Sequence, residues 1–88
     1  MLKIEHDGIE YRMNRFGVVF APSTPDPHFP GFANINFADF DTTRAVIDKA
    51  IALGATLKRY DRRGPVYDLS VARAALREAT RAAAKQVA

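Results

Sequence analysis

The sequence predicts a small α+β domain in which an antiparallel sheet and a helix are followed by a second hairpin and a long C-terminal helix. Three observations predict this class. Short segments that alternate apolar and polar residues fill the N-terminal part between turn signals, which is typical of antiparallel strands. Two longer segments with helical periodicity follow, and a second alternating pair lies between them. We expect residues 1–88 to form one domain.

The first predicted element is a β-hairpin. Asp7-Gly8 fits a two-residue type I′ turn, because both central residues of that turn need a positive φ angle. Around the turn, alternation places charged residues on one face and an apolar series on the other. The apolar series is Leu2, Ile4, His6, Ile9, Tyr11 and Met13. This register brings Glu5 opposite Glu10, an unfavourable contact that neighbouring cations offset.

The sheet is expected to continue after a turn at residues 14–17. The sequence VVFA, at 18–21, predicts a third strand, and FANINF, at 32–37, alternates and suits a fourth. Between them, residues 21–32 hold four of the five prolines. Proline lacks a backbone donor and fixes φ, so this segment is predicted to be an ordered, extended loop rather than a strand or helix.

The first helix is expected to run from Thr42 to Leu53. Asp39 or Asp41 is the candidate N-cap, and Gly54 fits the left-handed position that follows a helix end. The apolar stripe of this helix would consist of Val46, Ile47, Ala50, Ile51 and Leu53. The spacing of these residues indicates one face packed against the sheet.

A second hairpin is predicted from TLKRYD at 56–61 and PVYDL at 65–69, around a loop of Arg62, Arg63, Gly64 and Pro65. A four-residue loop would place Tyr60 opposite Tyr67 and Arg59 opposite Asp68. Ser70 is then the expected cap of a helix that runs to near the C-terminus. Its apolar side would consist of Ala72, Leu76, Ala79, Ala83 and Val87.

Charge is distributed unevenly along the chain. Residues 1–57 hold five Lys or Arg and seven Asp or Glu, a net charge of −2. Residues 58–88 hold eight and three, a net charge of +5, and the two parts together give the +3 of the chain. Such an asymmetry suggests that the C-terminal part meets an anionic partner.

The C-terminal helix carries cations at four-residue intervals. Like charges at this spacing cost about 0.2–0.5 kcal/mol per pair, so helix stability alone explains them poorly. Two interpretations of these cations stay open: they form a surface that binds an anionic partner, or they are the solvated face of the helix. The second hairpin adds four more cations. The predicted partner-binding residues are Arg73, Arg77, Arg81, Lys85, Lys58, Arg59, Arg62 and Arg63, with Phe29, Tyr60 and Tyr67 as candidate aromatic contacts.

Catalytic and metal-binding groups are sparse. Ser23, Asp26 and His28 are the residue types of a hydrolytic triad, but two prolines separate them within six residues and oppose their convergence. His6 and His28 are the only histidines, cysteine is missing, and the glycines are scattered rather than clustered as in a phosphate loop. We therefore expect no enzyme activity, no metal and no cofactor.

The leading hypothesis is a non-enzymatic binding or regulatory protein that engages an anionic macromolecule. The partner would be a nucleic acid or an acidic groove of a protein complex that handles nucleic acids. Two alternatives stay open: a phage or mobile-element accessory protein that inhibits a host defence complex, and self-association into a homodimer through the alanine-rich helix. The start MLKIEHDG does not resemble a secretion signal, and no segment approaches the ~20 apolar residues of a membrane span. A cytoplasmic location without membrane contact is expected.

Overall fold

The computed structural model describes residues 1–87, and the side chains of residues 1–85. It confirms the predicted α+β class, with a four-stranded antiparallel sheet, a helix, a second hairpin and a C-terminal helix. The elements in chain order are β1 (Leu2–His6), β2 (Ile9–Met13), β3 (Val19–Pro25), β4 (Ala33–Phe37), α1 (Phe40–Ala52), β5 (Thr56–Asp61), β6 (Gly64–Asp68) and α2 (Ser70–Val87).

The large sheet has the strand order β1-β2-β3-β4, so β1 and β4 are its edges. The first hairpin has the predicted register, with Leu2 opposite Met13 and Glu5 opposite Glu10. Asp7 and Gly8 have φ angles of 51° and 78°, the positive values that a type I′ turn requires. The short alternating pattern and the turn residues were therefore sufficient to predict this hairpin.

The core lies between one face of the sheet and α1. α1 packs mainly against β1, with smaller contacts to β2 and β3. Removal of these apolar side chains from water is the main stabilising contribution to a domain of this size. The buried side chains of the core are Leu2, Ile4, Met13, Val19, Val46, Ala50, Ala55, Leu69 and Ala72. β4 lies beyond the part of the sheet that α1 covers.

β3 is longer than predicted and continues through Pro25 into the proline-rich segment. The expectation of a loop over 21–32 was therefore wrong for the first part of that range. A β-bulge between Ala21 and Thr24 takes up Pro22, so the missing proline N–H falls where the ladder is already interrupted. The remaining loop is closed by a hydrogen bond from Asp26 N–H to Phe32 O (3.1 Å).

α1 begins at Phe40, two residues before the predicted start. Asp39 is the N-cap, and its carboxylate accepts a hydrogen bond from the Thr42 backbone N–H at 2.7 Å. This bond satisfies one of the donors that a helix leaves unpaired in its first turn. The helix ends at Ala52, and Gly54 then adopts the expected left-handed conformation with φ of 115°.

The second hairpin has a different register from the predicted one. Asp61 pairs with Gly64, which leaves a two-residue turn in place of a four-residue loop. Gly64 has a φ of 116°, and the Asp61 carboxylate accepts a hydrogen bond from the Arg63 N–H at 2.8 Å, so the turn closes early. A bulge between Leu57 and Arg59 shifts the pairing further. The observed partners are Arg59 with Val66, Tyr60 with Pro65, and Leu57 with Tyr67.

α2 starts at Ser70, but Asp68 supplies the capping carboxylate. Asp68 Oδ1 accepts hydrogen bonds from the backbone N–H and the hydroxyl of Ser70, at 2.9 and 2.6 Å. Ala72 is buried and Leu76 is half-buried, whereas every residue from 77 to 85 is exposed. The second half of the helix therefore extends away from the core.

The molecule is flat and open rather than spherical. Its principal extents are 43 × 42 × 21 Å, and its radius of gyration is 14.9 Å. A compact domain of this length has a radius of gyration of about 12 Å. The projecting elements are the end of the β3–β4 hairpin and the second half of α2. Over residues 1–87, neither helix combines the length and the apolar composition needed to cross a membrane.

Candidate basic interface

A shallow groove beside β6 and the start of α2 collects cations from three segments of the chain. This junction groove has a volume of about 310 Å³. Its cationic side chains are Arg15, Lys58, Arg59 and Arg73. They come from the turn before β3, from β5 and from α2, so only the folded chain brings them together.

The position of Arg15 depends on a contact between distant parts of the chain. The Tyr67 backbone N–H donates a hydrogen bond of 2.7 Å to the carbonyl of Arg15, which joins the turn to β6. The turn itself is held by Asn14, whose side-chain oxygen accepts from the N–H groups of Phe16 and Val18 at 2.9 and 3.0 Å. The Arg15 guanidinium lies over the Phe16 ring, 4.9 Å from its centroid.

The junction groove contains one carboxylate, that of Asp68. The hydroxyl and the backbone N–H of Ser70 donate to it and, with the charges of Lys58 and Arg73, hold the pKa of Asp68 below its usual range. Asp68 therefore stays ionised, with one oxygen already committed to the helix start. Four cations against one carboxylate leave the groove with a net charge of +3.

A second and larger groove lies between β1 and α2. This helix groove has a volume of about 700 Å³. Its α2 wall carries Arg73, Arg77 and Arg81, at intervals of one helical turn. Arg73 lines both grooves, so the two are adjacent. We call their cations on β5, α2 and the turn before β3 the basic track; they are Arg15, Lys58, Arg59, Arg73, Arg77 and Arg81. The sheet side of the helix groove includes Met1, Leu2, Lys3, Glu5 and Glu10, and Leu76 of α2 lines it as well.

The helix groove is less uniformly positive than the junction groove. Glu5 and Glu10 lie directly opposite each other across β1 and β2 and line the groove. Arg81 forms an exposed ion pair with Glu78 at 3.2 Å. Among the described residues, no carboxylate lies within ion-pairing distance of the four junction-groove cations. The side chains that line the junction groove therefore carry the larger net positive charge, +3 against +2 for those of the helix groove.

The other predicted binding residues are more dispersed. Arg62 and Arg63 occupy the β5–β6 turn, and Lys85 is exposed near the end of α2. Tyr60 is 72% exposed on β5, whereas Tyr67 is half-buried against the core, so the two tyrosines do not form the predicted pair. The candidate aromatic contact in the proline-rich segment, Phe29, is exposed beside Phe32.

The structure thus unites Lys58, Arg59 and Arg73 and adds Arg15, which the sequence analysis missed. Arg15 lies in the acidic part of the sequence, and its contribution to the groove becomes visible only through the contact with β6. The sequence feature that could have drawn attention to Arg15 is its position between Asn14 and Gly17, which are typical of an ordered turn.

A scan against protein-family models, a search of curated proteins and a search of solved structures each found no match to this chain. The functional conclusion therefore depends on the chemistry of the grooves. Three of the four junction-groove cations are arginines, whose planar guanidinium groups each offer five N–H donors and suit phosphate or carboxylate in a two-bond arrangement. Such a surface can bind an anionic polymer.

Proposed function

We propose that this protein is a non-enzymatic binding protein whose basic track engages the phosphate backbone of a nucleic acid. The observation that supports this most strongly is the junction groove, where four cations converge and the one carboxylate is already hydrogen-bonded to Ser70. Like charges held together in this way oppose folding, and a bound anion relieves their repulsion.

The arginines of α2 extend the junction groove into a linear surface. Four residues of α-helix rise about 6 Å, so Arg73, Arg77 and Arg81 span about 12 Å along one side of the helix. Each cation that meets a phosphate releases condensed counterions, which is the main source of sequence-independent affinity. The ring of Tyr60, which is 72% exposed on β5 but lies outside both grooves, offers a stacking surface for an unpaired base. Together these features favour single-stranded nucleic acid.

A protein partner with an acidic groove is the second candidate, and the helix groove supplies the observation that favours it. Met1 and Leu76 give that groove an apolar component, and Glu5 and Glu10 disfavour phosphates along its sheet side. A protein segment that combines carboxylates with apolar side chains suits this mixture better. In this version the chain acts as a small regulator or inhibitor of a complex that handles nucleic acids.

Fluorescence anisotropy with labelled random-sequence DNA and RNA tests the proposal. We expect binding at low salt, a linear fall of log affinity with log salt, and tighter binding of single strands than of duplex. The double variant Lys58→Glu/Arg73→Glu should lose at least about tenfold in affinity. Arg44→Glu, a charge reversal on α1 outside both grooves, is the control. It changes the net charge by −2, half the change in the double variant, and should lose much less than half as much binding free energy.

The outcomes separate the two candidates. If neither DNA nor RNA binds below tens of micromolar at low salt, the nucleic-acid version is wrong and the acidic protein partner takes its place. If the Arg44→Glu control loses half as much binding free energy as the double variant, or more, binding follows net charge rather than the basic track, and the assigned site is wrong. Circular dichroism of each variant establishes that its fold is intact.

A further inference from the structure

The strand β4 forms an open edge of the large sheet. It is the outer strand next to β3, and the main contacts of α1 with the sheet are to β1, β2 and β3. Four of its five residues are exposed, including Ile35 (70%) and Phe37 (67%). An uncovered edge strand carries unpaired backbone groups and can pair with another strand.

Hydrogen bonds at both ends of β4 show which backbone groups face outward. Ala38 N–H donates to Val19 O at 3.0 Å, and Asp26 N–H donates to Phe32 O at 3.1 Å, so residues 32 and 38 face the β3 side. Hydrogen-bonding direction alternates along an antiparallel strand. Asn34 and Asn36 therefore face β3 as well. The N–H and C=O groups that point to the open side belong to Ala33, Ile35 and Phe37.

The open edge lacks the features that usually protect edge strands. Charged side chains, proline and bulges normally discourage pairing with another chain. Residues 27–38 contain no Lys, Arg, Asp or Glu, and β4 itself contains no proline. The opposite edge differs, since β1 carries Lys3 and Glu5 and lies beside the helix groove. The sequence thus leaves β4 suited to pairing and β1 protected against it.

We propose that β4 pairs antiparallel with β4 of a second copy, around a two-fold axis at Ile35. In this register Ile35 lies opposite its own counterpart, and Ala33 lies opposite Phe37 of the second copy in both directions. The residues that meet are those whose N–H and C=O groups point outward, so the pairing satisfies the open side of β4 in both copies. Two four-stranded sheets then form one continuous sheet, and a closed two-fold contact leaves no β4 edge free.

The charge distribution favours a second copy as the occupant. Each copy carries a net charge of +3, so association through a basic surface would be repulsive. The uncharged segment 27–38 is where two such molecules meet with least repulsion. The basic track borders β1, at the far edge of the sheet, so pairing through β4 keeps the two tracks apart.

The exposed apolar side chains near β4 fit the same contact. Phe37 packs on Phe20 of β3 with ring centroids 5.3 Å apart, and the pairing extends this apolar surface across the axis. Beyond the strand, the same register places Phe32 of one copy opposite Ala38 of the other, two residues before Phe40. The side chains of Phe32 and Phe40 are 70% and 73% exposed. Three phenylalanines of about 150–250 Å² each, roughly two-thirds exposed, offer about 400 Å² per copy. That is half of the ~800 Å² per partner in a standard interface, before Ile35 and the backbone contribute.

Disulfide trapping tests the register directly, because the chain has no cysteine of its own. Residues opposite each other in a hydrogen-bonded antiparallel pair have Cα atoms about 5.5 Å apart, within the range of about 4.4–6.8 Å that a disulfide spans. The variant Ile35→Cys should therefore form a covalent dimer under mild oxidation. Leu57→Cys places a thiol at another exposed apolar strand position and should stay monomeric. Equal cross-linking of both variants would overturn the proposed register.

Sedimentation equilibrium tests the association without cross-linking. The mass of the wild type should rise with concentration from 9.8 kDa towards twice that value. Ile35→Lys puts a charge on the open edge and should remain a monomer, whereas Leu57→Lys, which adds the same charge elsewhere, should associate as the wild type does. A wild type that stays monomeric up to its solubility limit overturns the proposal. This holds even if a different protein is found to pair with β4, because the proposed partner is a second copy of the chain. Association of Ile35→Lys equal to that of the wild type overturns it as well.

Discussion

Replacement of Arg15 by glutamine tests whether the junction groove acts as one site. If its four cations each meet a phosphate of a single strand, these contacts contribute about −2.8 to the slope of log affinity against log salt. The three cations that remain in Arg15→Gln contribute about −2.1. Between 50 and 200 mM salt the contacts of the junction groove would then cost the wild type about 50-fold in affinity, and Arg15→Gln about 20-fold.

Anisotropy titrations at four or more salt concentrations measure both slopes. Arg44→Gln is the matched control, because Arg44 lies on α1 over the Phe40 ring and outside both grooves. Its slope should equal that of the wild type. An unchanged slope for Arg15→Gln would show that Arg15 makes no phosphate contact. The phosphate-binding residues of the junction groove would then be the cations of β5 and α2 alone. Equal changes in Arg15→Gln and Arg44→Gln would refute the site altogether.

Two further predictions concern the fold. The hydrogen bond from Thr42 N–H lowers the pKa of Asp39, so the stability that the ionised carboxylate contributes is complete above about pH 4 and is lost as pH falls through the lowered pKa. In Asp39→Asn, the free energy of unfolding measured with urea should therefore fall less steeply on the acid side of its pH profile. A profile identical to that of the wild type would contradict this role. Gly54→Ala should lower the melting temperature by roughly 8 °C or more, because φ is 115° and the new Cβ would overlap Val71 Cγ1. Gly8 has a φ of 78° but open space around it, so Gly8→Ala should lower the melting temperature by less than Gly54→Ala does. Equal decreases would show that backbone strain alone, without the overlap with Val71, destabilises Gly54→Ala.

Local signals were enough to predict the parts of the fold that local chemistry determines. Asp7-Gly8 predicts a hairpin with its register, because a two-residue turn between alternating strands permits little else. Asp39 and Gly54 bracket α1 to within two residues, because capping requires specific side chains and a left-handed C-terminal residue. These features depend on residues a few positions apart, which a sequence displays directly.

The sequence-based predictions were wrong where contacts between distant parts of the chain determine the structure. Pro22 suggested a loop, but a bulge lets β3 continue past it, and bulge positions follow from pairing with β4 rather than from β3 alone. In the second hairpin, Gly64 closes a shorter turn than the spacing of the apolar residues suggested. Arg15 joins the junction groove only because its carbonyl bonds to Tyr67 across the molecule. A basic surface was predictable from composition, whereas the convergence of its members was not.

The exposed half of α2 contributes little to the packed core. Residues 77–85 contact little of their own chain, and alanine and arginine keep this segment helical through intrinsic propensity. Substitutions at such surface positions usually change stability by less than about 0.5 kcal/mol. The side chains of this helix face can therefore be exchanged at little cost in stability, while Leu2, Met13 and Val46 preserve the domain beneath it.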